Sequence, residues 1–507
     1  MTSVLLIYPF LKPAHDNSEF RFPPLGLAYI ASSLRAAGHE VSILDCSFLR
    51  RDRAVSIARA SAATVVGIYS MITMREESLF FARIMKKEGR LLVAGGPYPT
   101  GAPAAFLDDF DIVVRGEGEA TMLDIVEAFE GKRRLASIPG VVCKTDRTVG
   151  DCAVGDCAVG DRDAAVGDCE IGDSAVGDCE VGDRVAAVGD RGSAVGDCDA
   201  ADPASCLTAG PARALAADLD AIPLPARDLL PNRLYIEHGR RRYGYSITSV
   251  MSSRGCPFDC EFCSNAVFGR GFRERSPANV ADEVEDALSY GYERIHFGDD
   301  VFTLKKERII AVCDEIRRRK LEFSWECLGR VDSIDAEAAR AMREAGCDRI
   351  FFGIESGDER MLGLMRKRIT TARARQAVEA ARGAGIRTGA FFILFYPGDT
   401  DDSVLQTIRF ATSLPLDYLS FSLPYPIPGT ALHERVGNRA VRDWKQPQGL
   451  VFKHLRIFDS DFSEFKMKFG LVKAKLEFEL RRRGPASGSA AFRIFEAATD
   501  FVLRRLS

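Results

Sequence analysis

Three closely spaced cysteines carry the most specific chemistry in this sequence. Cys256, Cys260 and Cys263 follow one another with the spacing CxxxCxxC. Three thiolates on one short loop can hold three corners of a cubane iron–sulfur cluster, whereas clusters that only transfer electrons usually have four cysteine ligands. One iron is then left open to bind and cleave a small molecule. A zinc site or a chance grouping among 14 cysteines is the alternative, but zinc sites usually add a second pair of Cys or His ligands, and no such pair lies between Ser264 and Phe302.

The cysteine loop and three later motifs resemble the signature of the radical S-adenosylmethionine superfamily. Phe262 stands just before the last cysteine, as in that family's motif. The later motifs follow in the family's order, as FGDD at Phe297–Asp300, GIESG at Gly353–Gly357 and YPG at Tyr396–Gly398. The resemblance implies a [4Fe-4S] cluster on Cys256, Cys260 and Cys263. In that family the open iron binds S-adenosylmethionine, and one electron yields a 5'-deoxyadenosyl radical that takes hydrogen from the substrate.

Polar side chains at later strand ends are candidates for binding S-adenosylmethionine. The family uses the segment at Gly298, Asp299 and Asp300 for the amino group of this molecule. Asp300 could instead cap the helix that follows, which is an ordinary structural role for a carboxylate. The resemblance also implies contacts from Phe262, Arg330, Glu355 and Ser356.

Residues 1–143 show strand-like runs that alternate with helical patterns. This alternation predicts an α/β domain with a doubly wound parallel sheet, in which ligands bind at the carboxyl ends of the strands. The loops there are rich in glycine, which lets a bulky ligand approach the backbone, although the same glycines could merely form tight turns. The predicted strands are Val4–Tyr8, Glu40–Leu44, Val65–Tyr69, Leu91–Ala94 and Ile112–Val114, and the predicted helices are Leu25–Ala37, Met74–Lys87 and Ala120–Phe129.

These loops resemble the cobalamin-binding domain that precedes the catalytic core in one large radical S-adenosylmethionine subfamily. The resemblance covers nearly all of residues 1–143, and the cobalamin contacts that it implies are Ser70, Gly95, Gly96, Thr100, Gly116 and Glu117. The DxHxxG motif by which many cobalamin domains supply a histidine to cobalt is absent. Neither His15 nor His39 stands in that setting, so a histidine-ligated cobalt is not expected. We expect His39 to cap or pack beside a strand.

Residues 144–210 form an insert of a different kind. The tripeptide Val-Gly-Asp recurs from Val149 to Val195 in steps of five or seven residues. The insert is acidic, rich in glycine and almost without large apolar side chains, so it is predicted to be disordered. A pentapeptide solenoid is the rival interpretation, but the irregular steps count against it. The cysteines of the repeat are interpreted as incidental, and residues 211–245 as a linker.

Residues 246–435 show a second alternation, of six strands with helices. Six βα units predict a partial (β/α)6 barrel whose active face is at the strand C-termini. The cysteine loop follows the first strand, and the polar candidates follow the next three. The predicted strands are Ile247–Ser252, Arg294–Phe297, Phe323–Leu328, Arg349–Ile354, Thr388–Phe395 and Tyr418–Leu423, and the predicted helices are Val280–Tyr290, Lys306–Arg319, Ala336–Ala345, Ala372–Ala384 and Ser403–Ser413.

Residues 436–507 are predicted to form a small helical region. Phe465–Arg483 and Ala491–Leu506 have the pattern of basic, amphipathic helices. They either pack on the barrel at its substrate side or offer a peripheral membrane surface. A lipid-like substrate would suit the second interpretation.

Composition agrees with an intracellular enzyme. A length of 507 residues allows about three domains, and a formal charge of -4 favours neither nucleic acid nor strong membrane attraction. The longest apolar runs are far short of the roughly 20 residues that span a bilayer, and no signal segment is recognised before the first strand. Because cluster ligands would be lost to disulfides in an oxidising compartment, we expect a cytoplasmic protein.

The motifs together predict a cobalamin-dependent radical S-adenosylmethionine methyltransferase that acts on an unactivated carbon. Its cofactors would be the [4Fe-4S] cluster, S-adenosylmethionine and cobalamin, and its partners a small-molecule or lipid-like substrate and an external one-electron reductant of flavodoxin or ferredoxin type. A cyclase or rearrangement enzyme of the porphyrin-cyclase type is the alternative enzyme. A non-catalytic cobalamin or iron–sulfur sensor is the alternative of another class.

Overall fold

The computed structural model describes residues 1–10, 21–144, 207–439, 456, 458–482 and 489–506. The Val-Gly-Asp repeat and His15 lie outside the described residues, so the predicted disorder of the repeat stays a prediction. No helix among the described residues is long and apolar enough to cross a membrane.

Within the described residues, the first domain is built on a seven-stranded sheet with the order β2-β1-β3-β4-β5-β6-β7. The first five strands run parallel, and β6 and β7 add an antiparallel edge. The strands are β1 Ser3–Tyr8, β2 Glu40–Asp45, β3 Val65–Tyr69, β4 Leu91–Gly95, β5 Ile112–Val114, β6 Val141–Lys144 and β7 Leu207–Ala209. The helices are α1 Leu25–Ala36, α2 Arg51–Ala60, α3 Arg75–Met85, α4 Pro97–Gly101 and α5 Glu119–Phe129.

Helices cover both faces of this sheet, as the predicted doubly wound fold requires. Strand β1 is buried on both faces because its run of apolar residues meets helices on either side. On one face, Leu5 and Ile7 pack with residues of α2 and α3. On the other, Val4 and Leu6 pack with residues of α1 and α5. The glycine-rich loops follow the carboxyl ends of strands β4 and β5.

The segment after the repeat is more ordered than the sequence indicated. Leu207–Ala209, assigned to the insert, pairs with β6 as strand β7. The predicted linker 211–245 contains the helix α6 Asn232–Tyr243. The buried Tyr235 of this helix donates to Asp45 Oδ2 at 2.6 Å, so the segment packs on the first domain. Pairing with a distant edge strand leaves no local pattern in the sequence, which explains the error.

Within the described residues, the second domain is a six-stranded parallel sheet with the order β15-β14-β13-β12-β11-β8. The predicted partial barrel is therefore confirmed. The strands are β8 Ile247–Val250, β11 Arg294–Phe297, β12 Ser324–Gly329, β13 Cys347–Glu355, β14 Arg387–Ile393 and β15 Tyr418–Ser422, with β9 Ser253–Arg254 and β10 Arg273–Glu274 as a separate pair. The helices are α7 Pro277–Ser289, α8 Lys306–Arg318, α9 Ala336–Glu344, α10 Glu359–Leu364, α11 Thr371–Gly383, α12 Asp401–Ser413 and α13 Ala431–Val436.

Side-chain caps fix where several barrel helices begin. Ser276, Asp335, Thr370 and Thr400 each accept a hydrogen bond from a backbone N–H in the first turn of the following helix, which satisfies a donor that the helix itself cannot. The helices then bury their apolar faces against the outer face of the sheet, around Trp325 and Phe352. The strand ends of the barrel are thereby held in a fixed order around the cysteine loop.

Two further helices, α14 Glu464–Arg482 and α15 Ala490–Arg505, pack on the barrel. Helix α14 lies against α12 and β15. A Cβ atom at Gly470 would come within 2.4 Å of the Phe395 ring, so glycine permits this close approach. The Lys466 ammonium adds an ion pair to Asp401 at 2.7 Å.

Deleting residues 148–197 should leave the fold and the cofactor content almost unchanged. Lys144 lies opposite Leu207 in the β6–β7 pair, so the two ends of the insert are already neighbours and a short connection suffices. Because loop length enters closure entropy only logarithmically, the shorter protein should be more stable to unfolding by roughly 1 kcal/mol. Thermal unfolding of the two proteins measures this, and a large loss of stability on deletion would show that the repeat is an ordered element.

Candidate functional site at the junction of the two domains

The cysteine loop, residues 255–272, connects the paired strands β9 and β10. The loop starts at Gly255, whose φ of +81° lies in the left-handed region that glycine adopts without strain. A Cβ atom there would lie 2.0 Å from the carbonyl oxygen of Gly271. The two ends of the loop therefore touch, and the three cysteines project from a closed base.

Hydrogen bonds from several elements hold the loop in shape. The Gly255 N–H donates to Asp300 at 2.9 Å, and the Asn265 amide donates to the Cys256 carbonyl at 3.3 Å. Glu261, only 5% exposed, accepts a hydrogen bond of 2.7 Å from the Tyr396 hydroxyl and pairs with Arg435 at 3.0 Å. Burial and Glu261 raise the pKa of Tyr396, so this hydroxyl remains a donor. The loop is thus fixed before any cluster is bound.

The three thiols are close enough to affect one another's ionisation. Burial, with Cys260 adding a smaller effect, raises the pKa of Cys256. The same causes raise the pKa of Cys263 to about 12, although part of that side chain is exposed. The Cys256 and Cys263 thiols are therefore protonated at neutral pH, and binding of iron would have to replace their protons.

The arrangement suits a cluster better than a single ion. In the part of the chain that the structure describes, no three His, Cys, Asp or Glu side chains converge to hold one metal ion. A zinc ion needs its sulfur ligands about 2.3 Å from one centre, whereas three corners of a cubane need thiolates that stay apart. Cys260 and Cys263 line a recess of about 170 Å³ together with Asn265 and Arg270. Cys256 does not line this recess, but the donor set, three thiols on one loop with a closed base, is the one that a three-cysteine cluster needs.

A buried ion pair lies beside the recess. Lys367, 7% exposed, binds Glu355 Oε1 at 3.0 Å, and its ammonium lies 5.9 Å from the centre of the Phe262 ring. Glu355, Arg366 and Arg368 all have positive φ, which costs energy for residues with a side chain and is common at functional sites. Glu355 and Phe262 were predicted to contact S-adenosylmethionine, and this geometry keeps both near the cysteines.

Two of the residues predicted to contact S-adenosylmethionine have side chains that hydrogen-bond to other parts of the protein. The Asp299 carboxylate is 1% exposed and accepts from the Ser252 N–H and the Ser253 hydroxyl, at 2.7 and 2.6 Å. Ser356 is hydrogen-bonded to Thr407 at 2.9 Å. Both side chains hold neighbouring segments together, and their contact with S-adenosylmethionine stays a prediction. Asp300 does not cap α8, because this helix begins after Lys305. Gly298 directly follows strand β11.

Arg330 supports the loop that carries the cysteines. Its guanidinium lies 3.5 Å from the centre of the Phe258 ring and donates to the Lys367 carbonyl at 2.9 Å. Asp332 accepts from its Nε at 2.7 Å. Arg330 is 6% exposed and connects the cysteine loop to the segment around Lys367, and its contact with S-adenosylmethionine stays a prediction.

A cavity of about 260 Å³ opens between the first sheet, helices α1 and α5, and the second domain. Its lining is mostly apolar and includes Leu6, Met122 and Gly67 from inside the first domain. Val267 and Phe268 of the cysteine loop complete it. This mostly apolar lining would suit an apolar portion of cobalamin.

The predicted cobalamin residues divide into those that line this cavity and those that support it. Gly95, Gly96 and Gly116 line it, where glycine leaves the backbone open to a ligand. Thr100 bridges their loops, because its hydroxyl donates to the Gly96 carbonyl at 2.8 Å and accepts from the Gly116 N–H at 3.2 Å. The Ser70 N–H donates to the Gly95 carbonyl at 2.8 Å, and Ser70 is fully buried. Ser70 and Thr100 therefore position the glycines.

Glu117 lines the cavity but uses its carboxylate in ion pairs. Oε1 lies 3.0 Å from Arg254 and 2.8 Å from Arg273, and Oε2 accepts from the Ala216 N–H at 2.8 Å. The Glu117 carboxylate thus connects the cavity to the second domain through Arg254 and Arg273, and its contact with cobalamin stays a prediction.

His39 lies at the opposite end of the sheet from the cavity. It precedes β2, and its Nδ1 lies 3.5 Å from the Thr2 nitrogen and 3.8 Å from Glu130. This is the packing beside a strand that the sequence predicted, and it agrees with the absence of a ligating histidine motif.

Sequence reasoning missed the residues whose roles depend on distant partners. Glu261 and Asn265 stand inside the cysteine motif, and their polarity within so short a loop was the available signal. Lys367 follows α10 and gave no signal. Tyr396 opens the YPG motif, but the motif did not reveal that its hydroxyl binds Glu261.

Two family models match the chain. The radical SAM superfamily model matches residues 250–411, and the B12 binding domain model matches residues 12–126. The two matches contain the cysteine loop and the glycine loops of the cavity, respectively.

Similar proteins cover both domains. An uncharacterized methyltransferase of Pyrococcus horikoshii is 32% identical over 421 residues, which are 81% of this chain and 78% of that protein. The anaerobic magnesium-protoporphyrin IX monomethyl ester cyclase of Cereibacter sphaeroides is 25% identical over 85% of this chain and 63% of that protein.

A solved structure has the same fold. The methyltransferase TsrM from Kitasatospora setae, with cobalamin and a [4Fe-4S] cluster bound, superposes with a TM-score of 0.64 at 19% identity, over 87% of this chain and 76% of that one.

Proposed function

The chain belongs to the radical S-adenosylmethionine proteins that carry a B12-binding domain, and on that premise we propose that it is a methyltransferase acting on an unactivated carbon. The enzyme uses a [4Fe-4S] cluster, S-adenosylmethionine and cobalamin. We propose Cys256, Cys260 and Cys263 as the cluster ligands and the glycines around the cavity as the cobalamin contacts.

One observation carries this proposal. The cavity of the first domain is closed on its far side by Val267 and Phe268, which belong to the loop that holds the three cysteines. A group held by Gly95 and Gly116 would therefore lie next to the cluster. Methyl transfer to a substrate radical needs the methyl donor and the radical source at the same substrate, and this junction supports that requirement.

The residues around the loop prepare the site. When bound, the cluster and S-adenosylmethionine supply the radical, and cobalamin supplies the methyl group. Asp300 fixes the Gly255 end of the loop, and Glu261 fixes its middle. The Lys367 ammonium, held by Glu355, places a positive charge beside the cysteines and would favour the anionic state of the cluster. Phe262 and the buried Tyr396 keep water from this side.

The products released from S-adenosylmethionine test the proposal. A methyltransferase of this kind consumes one molecule as a radical source and one as a methyl source, so the reduced enzyme should form both 5'-deoxyadenosine and S-adenosylhomocysteine during turnover. Chromatography with mass detection measures both. Formation of 5'-deoxyadenosine with no S-adenosylhomocysteine would contradict methyl transfer.

A cyclase is the second candidate, favoured by the relative from Cereibacter sphaeroides that shares both domains. Ring closure needs the radical source but no methyl source, so it predicts 5'-deoxyadenosine alone. A sensor without turnover predicts neither product, and the complete set of radical S-adenosylmethionine motifs argues against it.

We further propose that a flavodoxin or ferredoxin reduces the cluster. Cys263 is exposed, which gives electrons a route from the surface. The described cysteines are free thiols, consistent with a cytoplasmic protein.

The two C-terminal helices support contact with an anionic membrane. Seven large apolar side chains are exposed there: Phe465, Val472, Leu476, Leu480, Ile494, Phe501 and Val502. On α14 they share one face, which is flanked by Lys468 and Lys475. The acidic residues of both helices are paired with bases, for example Glu464 with Lys468 and Asp500 with Lys473. The excess of positive charge beside an apolar face suits anionic lipids, and a lipid-like substrate would be reached from this face.

Replacing Leu476 with glutamate should weaken binding to vesicles of phosphatidylcholine and phosphatidylglycerol by about tenfold or more, because an inserted leucine contributes about 1.5 kcal/mol or more. Leu234→Glu, at a similarly exposed position on α6, should bind like the unaltered protein. Vesicle sedimentation measures both. Equal binding by the two variants would show that α14 does not face the lipid.

A further inference from the structure

The base of the cysteine loop is a pair of arginines. Arg254 on β9 lies directly opposite Arg273 on β10. The cysteine loop begins after the first arginine and ends before the second, so two positive charges lie side by side at its base. Like charges directly opposite each other destabilise a strand pair. Arg254 is 4% exposed, so water screens little of this repulsion.

One carboxylate from the other domain joins the two arginines. Glu117 Oε1 lies 3.0 Å from Arg254 Nη1 and 2.8 Å from Arg273 Nη1. Arg273 also donates to the Phe268 carbonyl of the cysteine loop at 3.2 Å. Glu119 binds Arg254 alone, at 2.6 Å. Among the described acidic residues, Glu117 bonds to both arginines, and it therefore offsets the repulsion at the base of the loop.

Arg254 has little freedom to move away from this contact. Its guanidinium lies between the rings of Tyr29 and Phe268, at 5.4 and 5.1 Å from their centres. The backbone that follows it continues through Gly255 to Cys256. If Glu117 shifts, either the base of the cysteine loop moves with it, or the bridge that Glu117 forms to Arg254 and Arg273 breaks.

The other side of Glu117 faces the cavity. Gly116 and Gly118 flank it and line the cavity with it. A Cβ atom at Gly118 would lie 2.6 Å from the Ile30 side chain, so this short loop is packed tightly against α1. A ligand that fills the cavity touches the segment that positions the Glu117 carboxylate.

We propose that Glu117 is a positioning residue that couples occupancy of the cavity to the cysteine loop, so that cobalamin and S-adenosylmethionine each change the other's affinity. This inference rests on the proposed function, since it takes cobalamin as the occupant of the cavity. Coupling between two binding sites is reciprocal, so the same factor must be found whichever ligand is added first.

The test measures this factor without turnover. S-adenosylmethionine is titrated into the reconstituted, oxidised protein by calorimetry, with and without saturating hydroxocobalamin. In the unaltered protein, hydroxocobalamin should change the affinity for S-adenosylmethionine by roughly fivefold or more. In Glu117→Gln the factor should fall to about one, because the neutral amide cannot offset the charges of the two arginines.

Two further variants separate coupling from damage. Arg273→Gln breaks the same bridge from the second domain and does not line the cavity, so it should lose the coupling while still binding hydroxocobalamin normally. Glu119→Gln removes a carboxylate from Arg254 but leaves the bridge intact, so it should keep most of the coupling. Iron content of each protein reports whether the cluster is present.

The outcomes distinguish the inference from the proposed function. If the coupling factor is unchanged in Arg273→Gln, and this variant binds both ligands and has full iron content, the coupling through Glu117 is overturned while the proposed function stands. An unaltered protein that binds no cobalamin would overturn both. Loss of coupling in Glu119→Gln equal to that in Glu117→Gln would show that charge near Arg254, and not the bridge, is responsible.

Discussion

Replacing Cys260 with alanine should abolish both the iron–sulfur cluster and the formation of 5'-deoxyadenosine. Cys260 is the middle of three thiols on a loop that is fixed at Gly255, Glu261 and Asn265. Removal of one thiol leaves two ligands for a cluster that needs three, and the rigid loop offers no substitute. Iron and sulfide analysis after anaerobic reconstitution, together with 5'-deoxyadenosine measurement, tests this.

The matched control is Cys179→Ala in the Val-Gly-Asp repeat, which should retain cluster and product. A protein without Cys260 that still cleaves S-adenosylmethionine would refute the assignment of the cluster. Cys256→Ala and Cys263→Ala should behave as Cys260→Ala does, because the cluster needs all three thiolates.

Replacing Gly95 with leucine should prevent cobalamin binding while leaving the fold and the cluster intact. Gly95 lines the cavity, and a Cβ atom there meets nothing within 4 Å, so the added side chain projects into empty space. Filling space that the ligand needs should weaken its binding by about 10- to 100-fold. Gly96 and Gly116 are poorer choices because their positive φ would strain any substitution.

Gly363→Leu provides the control for this change. Gly363 lies on α10, away from the cavity, and also has open space around its Cα. It should bind cobalamin like the unaltered protein, as measured from the absorption of bound hydroxocobalamin. Normal cobalamin binding by Gly95→Leu would mean that the cofactor uses a different surface.

The sequence was sufficient to predict most of the fold. Strand β3 agrees with prediction to the residue because a short apolar run bounded by polar residues leaves little choice. Strand β11 also agrees to the residue, although only Ile295 and Phe297 of its four residues are apolar. Helix α2 was missed because four of its ten residues are charged and it buries only Ala54 and Ala58. Strand β7 was missed because it depends on a partner far away in sequence.

The site was less predictable than the fold. The motifs located the right segments. Successive side chains at the end of a strand point to opposite sides, however, and this decides which acid faces the recess. Asp299 turns toward Ser252. Glu117 and Arg254 are far apart in sequence, so their bond could not be foreseen from local pattern. Sequence motifs identify where chemistry occurs, whereas the division between residues that bind and residues that support depends on tertiary contacts.

The central claim is that cobalamin and the cluster share the junction of the two domains. Electron paramagnetic resonance of the reconstituted protein, with cobalamin as cob(II)alamin and the cluster reduced, tests it most directly. The account predicts that the two signals are broadened or split by each other, and that the cobalt signal shows no histidine nitrogen coupling from the protein. Two independent, unperturbed signals in a protein that contains both centres would contradict it.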